Sequence, residues 1–159
     1  MEILHKKTEI LDYLKKGCLG ILGTNDSGTG NIRQRVMYYG IDDDFNCYLM
    51  STKESPKMDQ IRSSSKVSLI ILTIEDPYDK SWEIEITGLA NLLSDTVEIG
   101  FALDKLKGKN PFADVVLESG IISQFEFVKL IPDVVRFRKY GEALSGNPPT
   151  ILEMKHQKD

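Results

Sequence analysis

The stretch of sequence that decides the fold is residues 33–57, which read RQRVMYYGIDDDFNCYLMSTKESPK. Two runs of β-forming residues flank three consecutive aspartates at 42–44, and such a polar cluster marks a turn. Strands joined by short turns are antiparallel, whereas parallel strands need a long crossover. Ser55 and Pro56 are the residue types favoured at the N-cap and the first position of a helix. These residues therefore predict two antiparallel strands followed by a helix.

Basic and hydroxyl side chains cluster within the same stretch. Arg33 and Arg35 are two residues apart on one predicted strand, so both side chains point to one face. The following helix start offers free N–H groups and a partial positive charge. Together these groups suit a phosphate monoester, because charge-assisted hydrogen bonds are the strong ones. The alternative is an ordinary capped helix with solvated basic residues. The candidate phosphate-binding residues are Arg33, Arg35, Ser51, Thr52, Ser55 and Lys57.

The patterns on both sides extend this prediction to the rest of the chain. Gly88 is expected to mark a bulge or a close backbone approach, and Pro132 to interrupt the last strand. Six or seven strands with helices inserted between them predict a mainly β fold, an antiparallel barrel with peripheral helices. We expect one domain over residues 1–145 and a loosely ordered tail over 146–159. Strands are predicted at 18–24, 31–41, 45–50, 66–74, 82–93, 124–130 and 134–138, and helices at 3–16, 55–63, 95–106 and 112–118.

The composition argues against several classes of protein. The chain has 159 residues and a formal net charge of −4, whereas general nucleic-acid binders usually carry a net basic footprint. Its only histidines, His5 and His156, lie near the two ends, so we expect neither a histidine-based catalytic site nor a catalytic zinc site. Two cysteines, and no apolar run near the ~20 residues that span a bilayer, indicate a cytoplasmic protein. We therefore expect no nucleic-acid, membrane or metal partner.

The order of short motifs between residues 18 and 94 resembles the flavin-binding split β-barrel family, which contains pyridoxamine 5′-phosphate oxidase. Each motif is weak alone, but their order over about half of the chain is fairly specific. The matching elements are Gly23-Thr24-Asn25-Asp26, Arg35-Val36-Met37, Leu49-Met50-Ser51, Ser55-Pro56-Lys57, Gln60-Ile61, Val67-Ser68-Leu69 and Ile84-x-Ile86-x-Gly88-x-Ala90.

This resemblance implies bound FMN and a homodimer with the flavin in a cleft at the subunit interface. It assigns the phosphate to Arg35 and Lys57, with help from Ser51 and Ser55. Pro56 stands where the oxidase has an arginine, and Arg33 is placed to compensate on the same strand face. The remaining cofactor-binding candidates are Val36, Met37 and Tyr38 along the ring, Met50 where the family often has an aromatic residue, and Trp82, which with Tyr38 is a candidate for ring stacking.

The resemblance further implies an oxidoreductase that passes a hydride or electrons through FMN to an unidentified small molecule. The oxidase itself carries a C-terminal segment with Trp and Arg-x-His residues for its phosphorylated substrate, and residues 134–141 contain no such motif. Pyridoxamine phosphate is therefore not the expected substrate. Two alternatives remain open: a flavin-binding electron carrier or storage protein without a substrate of its own, and a split barrel that binds haem or a deazaflavin.

Overall fold

The computed structural model describes residues 1–154. Over that part of the chain, eight strands are joined entirely by antiparallel pairing. The strands are β1 (Leu19–Asn25), β2 (Ile32–Tyr38), β3 (Gly40–Ile41), β4 (Cys47–Thr52), β5 (Lys66–Thr73), β6 (Trp82–Leu92), β7 (Phe125–Lys139) and β8 (Thr150–Glu153). The helices are α1 (Glu2–Lys16), α2 (Pro56–Ser63), α3 (Thr96–Leu106), α4 (Pro111–Ser119) and α5 (Tyr140–Leu144).

The sheet curls into a split barrel. Its strand order is β2-β1-β5-β6-β7-β4-β3, and only Tyr39 separates β2 from β3. The two ends of the sheet therefore belong to one continuous segment, which pairs with β1 along its first part and with β4 along its last part. The predicted mainly β, antiparallel barrel with peripheral helices is confirmed, and seven strands lie on this path.

Strand β7 does not stop at Pro132, so the expected interruption is wrong. The register between β6 and β7 shifts between Thr87 and Gly88, and Pro132 faces Gly88 at this bulge. A bulge accommodates proline because the regular ladder is already broken there. The expectation for Gly88 is confirmed on both counts, since a Cβ added at Gly88 would lie 2.0 Å from the carbonyl oxygen of Ile131.

The expected loose tail is wrong for residues 150–153, which form β8. Strand β4 pairs only with the first part of β7, and β8 pairs with Val134 to Phe137 farther along it. Unpaired backbone groups on a long strand readily bind another strand. Leu152 of β8 is buried and belongs to the barrel core. Residues 155–159 of the predicted tail lie outside the described residues.

Two hydrophobic clusters fix the helices around the barrel. The larger cluster fills the barrel interior, where Met58 and Ile61 of α2 and Ile10 and Leu14 of α1 join the strands. In the smaller cluster, α3 and α4 pack against alternate side chains of β4 and β7 on the outer side of the sheet. Helix α2 therefore packs into the barrel core, while α3 and α4 cover one flank. Over the described residues, no helix is both long and apolar enough to cross a membrane.

Candidate functional site

The candidate site is a cleft of about 280 Å³ between β2 and β4. Strand β2 pairs with β1, whereas β4 pairs with β3 and β7, so the sheet is split between β2 and β4. The first turn of α2 and the start of α4 both reach the cleft. Its lining residues are Val36, Met37, Tyr38, Met50, Ser51, Thr52, Lys57, Asn110, Phe112 and Phe125.

Helix α2 brings its N-terminus to this cleft. Ser55 is the N-cap and Pro56 occupies the first turn, as the sequence predicts. The Ser55 hydroxyl does not cap the helix; it is buried and has no hydrogen-bond partner within residues 1–154. Because a buried polar group without a partner costs about 1–3 kcal/mol, it marks a place where a ligand can supply the missing bond. Lys57, two residues later, lines the cleft itself.

Arg35 is held by oxygen atoms at the same end of the barrel. Its Nη1 donates to the Thr24 hydroxyl at 2.6 Å, and its Nη2 donates to Gln60 Oε1 at 2.8 Å. Longer bonds join Nη1 to the carbonyl oxygens of Leu22 and Arg33. All four acceptors are uncharged, so none of them neutralises the guanidinium.

Arg35 and Lys57 together concentrate positive charge beside the cleft. Burial lowers the pKa of Lys57, and the charge of Arg35 lowers it further. Burial also lowers the pKa of Arg35, with a smaller contribution from the charge of Arg33. In the part of the chain that the structure describes, none of these three residues forms an ion pair with an acidic side chain. Neighbouring cations without carboxylate partners create a potential that attracts an anion.

The candidates predicted to run along a flavin ring also meet here. Along β2, Val36 is exposed and Met37 is buried, because successive strand residues point to opposite faces. Met50 of β4 is also buried, and Tyr38 is half-buried. The cleft floor is therefore apolar, while the cations lie toward α2.

Not every predicted residue lines this cleft. Ser55 and Arg35 lie next to the cleft and not in its lining. Ser55 precedes Lys57 by two residues, and Arg35 is close enough to lower the pKa of Lys57. Arg33 is exposed on β2. Trp82, a candidate for ring stacking, is buried instead against Tyr13 of α1, with ring centroids 4.9 Å apart. The structure therefore assigns Trp82 to core packing and removes it from the candidate site.

Sequence reasoning missed three lining residues: Asn110, Phe112 and Phe125. Asn110 caps α4 by accepting a bond from the backbone N–H of Phe112 at 2.9 Å. Phe125 lies opposite Thr52 at the start of the β4–β7 pair. The Asn-Pro pair at 110–111 is a local helix-start signal, but no local pattern indicates that α4 folds back onto β4.

Two larger depressions lie elsewhere on the surface and contain none of the predicted site residues. One, of about 840 Å³, lies between α1, the turn at residues 43–46 and β8. The other, of about 580 Å³, lies over the outer face of β1, β2, β5 and β6. Both are broad and mix charged with apolar side chains, whereas the smaller cleft is lined by Lys57 and adjoins Arg35 and the buried, unpartnered hydroxyl of Ser55. The smaller cleft is therefore the candidate functional site.

Comparison with solved structures identifies the architecture. A heme binding protein from Mycobacterium smegmatis aligns with a TM-score of 0.68 and 16% identity, over 86% of this chain and 53% of that chain. A protein from Clostridium acetobutylicum related to general stress protein 26, of the pyridoxinephosphate oxidase family, aligns with a TM-score of 0.69 and 11% identity, over 93% of this chain and 94% of that chain. The chain has the split-barrel fold of these proteins.

A third split-barrel protein with the same architecture is the FAD-binding protein mll6688 from Mesorhizobium loti. It aligns with a TM-score of 0.66 and 16% identity, over 82% of this chain and 91% of that chain. This chain spans about half the length of the Mycobacterium smegmatis protein and nearly all of the Clostridium acetobutylicum protein. No protein-family model and no curated protein matches the sequence. The TM-scores, and not these low identities, establish the split-barrel fold that the motif order implied.

Proposed function

We propose that this chain binds FMN in the cleft between β2 and β4 and acts as an FMN-dependent oxidoreductase on a small molecule. The observation that carries the proposal is the pairing of two uncompensated cations, Arg35 and Lys57, with the buried, unpartnered hydroxyl of Ser55 at the start of α2. A phosphate monoester, close to a dianion at neutral pH, satisfies all three groups at once.

The residues present fit the phosphate better than they fit an uncharged ligand. Arg35 keeps an Nε–H and one Nη2–H that its four hydrogen bonds do not use, and Lys57 adds a point charge in the first turn of α2, where the helix dipole also favours an anion. Ser51 and Thr52 lie at the end of β4 and supply further hydroxyl donors within the cleft. The exposed Arg33 adds long-range attraction rather than a fixed contact.

The apolar part of the cleft suits the planar ring. Met37 and Met50 are buried and polarizable, and the aromatic rings of Tyr38, Phe112 and Phe125 border the same space. When bound there, FMN supplies the redox chemistry, while the protein binds it, orients it and limits access of water. Within residues 1–154, no histidine lines the cleft, so this part of the chain contributes binding and orientation rather than an imidazole acid or base.

We propose that a second copy of the chain completes the site. A row of side chains crosses the outer face of four strands: Val36 lies opposite Ile21, Ile21 opposite Ile70, and Ile70 opposite Glu85. Helices α3 and α4 cover only the flank formed by β4 and β7. Glu85 forms an ion pair with Arg136 at the charged end of the row, so the surface carries both signs and is complementary to itself.

The size of the cleft also supports a shared site. Its volume, about 280 Å³, lies just below the range of ~300–1,000 Å³ typical of ligand pockets. Val36 borders the cleft and is also the first residue of the apolar row on the outer face. A partner that covers this row therefore adds walls to the cleft.

The deciding experiment compares FMN with riboflavin, which has the same ring but no phosphate. Both are titrated against the wild-type protein and against Arg35→Ala and Lys57→Ala by flavin fluorescence. We expect each substitution to weaken FMN about ten- to a hundredfold, equivalent to roughly 1.5–3 kcal/mol, and to leave riboflavin nearly unchanged. Equal weakening of both flavins would overturn the phosphate assignment.

Lys53 provides the matched control. It is exposed, lies four residues before Lys57 and does not line the cleft. Lys53→Ala removes the same charge as Lys57→Ala, so a purely long-range effect of net charge would weaken FMN similarly in both variants. We expect the Lys53 variant to bind FMN as the wild type does.

A visible spectrum of the purified protein separates flavin from haem. Haem iron is commonly held by histidine, cysteine, methionine or tyrosine, and the cleft offers Met37, Met50 and Tyr38. A haem spectrum that is lost in Met50→Leu but kept in Lys57→Ala would replace the flavin proposal by the haem alternative.

The rate at which NADH or NADPH reduces the bound flavin, measured by rapid mixing, tests whether the protein is an enzyme or only an electron carrier.

A further inference from the structure

We propose that Thr24 and Gln60 are positioning residues that hold Arg35 toward the ligand phosphate without neutralising its charge. This inference deepens the proposed function and rests on it. Thr24 is on β1 and Gln60 on α2, so the two residues fix the guanidinium of β2 from two different elements.

The hydrogen bonds among the three side chains have one consistent direction. The Thr24 hydroxyl donates to Gln60 Oε1 at 2.6 Å and accepts from Arg35 Nη1 at 2.6 Å. Gln60 Oε1 accepts a second bond from Arg35 Nη2 at 2.8 Å. An arginine can only donate, so the hydroxyl hydrogen of Thr24 has to point to Gln60. The Gln60 amide oxygen is thereby the common acceptor of the cluster.

Burial makes this small network rigid. Thr24 is 1% exposed and Gln60 is 7% exposed, so water competes little for their oxygen atoms. Met58 and Ile61, the neighbours of Gln60 on α2, are packed in the barrel core and fix the helix that carries it. An arginine whose fork is already oriented loses less side-chain entropy when an anion binds.

Both acceptors, the Thr24 hydroxyl and the Gln60 amide oxygen, are uncharged, and this matters for anion binding. A carboxylate would hold a guanidinium more strongly than an amide does. At position 60 it would also compensate the charge of Arg35, so that an incoming phosphate would have to displace or share that partner. Glutamine orients the arginine and leaves its positive charge to the ligand.

The test uses Gln60→Glu, which has almost the same shape as wild type. We expect FMN affinity to fall at least tenfold at pH 7 while riboflavin affinity stays within twofold. The loss should shrink at low pH, where the new carboxyl is protonated. Unchanged FMN affinity would overturn the proposal, and so would an equal loss for riboflavin, since both would mean that charge at this position does not reach the phosphate.

A second pair of variants addresses the hydroxyl. Thr24→Val removes the bonds to Arg35 and Gln60 at constant volume, and Thr24→Ser keeps them. The proposal expects FMN to weaken in the valine variant and to recover in the serine variant, with riboflavin unaffected in both. If the serine variant binds FMN as poorly as the valine variant does, the methyl group is what matters and the proposal fails.

One measurement on the ligand-free wild type keeps this inference distinct from the function itself. Since Nη1 and Nη2 are both held, rotation about the Arg35 Cζ–Nε bond is slowed, and NMR should give separate Nη signals for this side chain. Thr24→Val should merge them. If the wild type binds neither flavin but shows the held guanidinium, the proposed function fails while Thr24 and Gln60 still fix Arg35. A freely rotating guanidinium in the wild type refutes this role of Thr24 and Gln60.

Discussion

Glu126 lies directly opposite Ser51 in the β4–β7 pair, which places a carboxylate beside a residue of the candidate cleft. One oxygen of Glu126 is ion-paired with Arg62 of α2, and the other is buried without a hydrogen-bond partner within the described residues. Arg62 thus neutralises an acid that would otherwise repel an anion bound near Ser51.

We therefore expect Arg62→Ala to lower both the stability of the protein and its affinity for FMN. Leaving a largely buried carboxylate unpaired lowers the free energy of unfolding by about 1–3 kcal/mol. It also weakens FMN more than riboflavin, because the freed negative charge acts on the phosphate. Urea denaturation and flavin titration measure the two effects. Adding Glu126→Gln should restore both, and strictly additive losses in the double variant would contradict this coupling.

Substitution by alanine should change the stability of the protein in opposite directions at Gly88 and at Gly100. A Cβ at Gly88 would lie 2.0 Å from the backbone oxygen of Ile131, so Gly88→Ala has to move a strand and should cost about 3 kcal/mol or more. Gly100 is in α3 with nothing within 4 Å of its added Cβ. Gly100→Ala should stabilise by about 0.5–1 kcal/mol through helix propensity. Thermal denaturation of both variants checks the pair.

Local patterns predicted most elements because alternation and capping act over a few residues. The start of α2 at Pro56, the β strands around the turn at 42–44 and the close approach at Gly88 all follow from neighbouring residue types. Strand β8 was missed because its stability comes from the unpaired edge of β7, which is distant in sequence.

Distance along the chain explains which residues the sequence could place at the cleft. Ser51, Thr52 and Lys57 reach the cleft because the strand end and the helix start are adjacent in sequence. Phe112 reaches it only because α3 and α4 fold back over β4, and Trp82 leaves it because α1 packs Tyr13 against its ring. These two outcomes depend on tertiary packing that no short motif encodes.

Lys57 should reduce the stability of the ligand-free protein. Burial and the charge of Arg35 lower its pKa in the folded state, so protonation is less favourable there than in the unfolded chain. The resulting penalty is present below the folded-state pKa and disappears as pH rises above the unfolded value of about 10.4. Lys57→Met should therefore raise the free energy of unfolding at pH 7 by less than about 1 kcal/mol, since the side chain is partly exposed.

The same variant should lose FMN affinity, so stability and binding change in opposite directions. Denaturation at pH 7 and near pH 10.5 measures the first effect, and the gain should be clearly smaller at the higher pH. Lys53→Met, an exposed control, should show neither effect. A Lys57 variant that is less stable than wild type at pH 7 would show that the lysine supports the fold instead.

The apolar row on the outer sheet face predicts the assembly. Sedimentation at micromolar concentration should give about twice the chain mass of 18.0 kDa. Ile21 lies at the centre of the row, so Ile21→Glu should produce a monomer and weaken FMN. Leu144→Glu is the control, because Leu144 is exposed on α5 and is not one of the residues of the row. A wild-type monomer that binds FMN tightly would rule out a shared cleft.

Phe112 should contribute to the binding of the flavin ring and not to that of the phosphate. It lines the cleft at the start of α4 and is 58% exposed, so its ring is available to a ligand. Aromatic contacts of this kind contribute about 0.5–1.5 kcal/mol, and Phe112→Ala should therefore weaken FMN and riboflavin equally, by roughly two- to tenfold. This equal loss is the reverse of the pattern expected for Arg35. Val115, also exposed on α4 but outside the cleft, is the control, and Val115→Ala should bind both flavins normally. A loss confined to FMN would mean that the ring does not lie against Phe112.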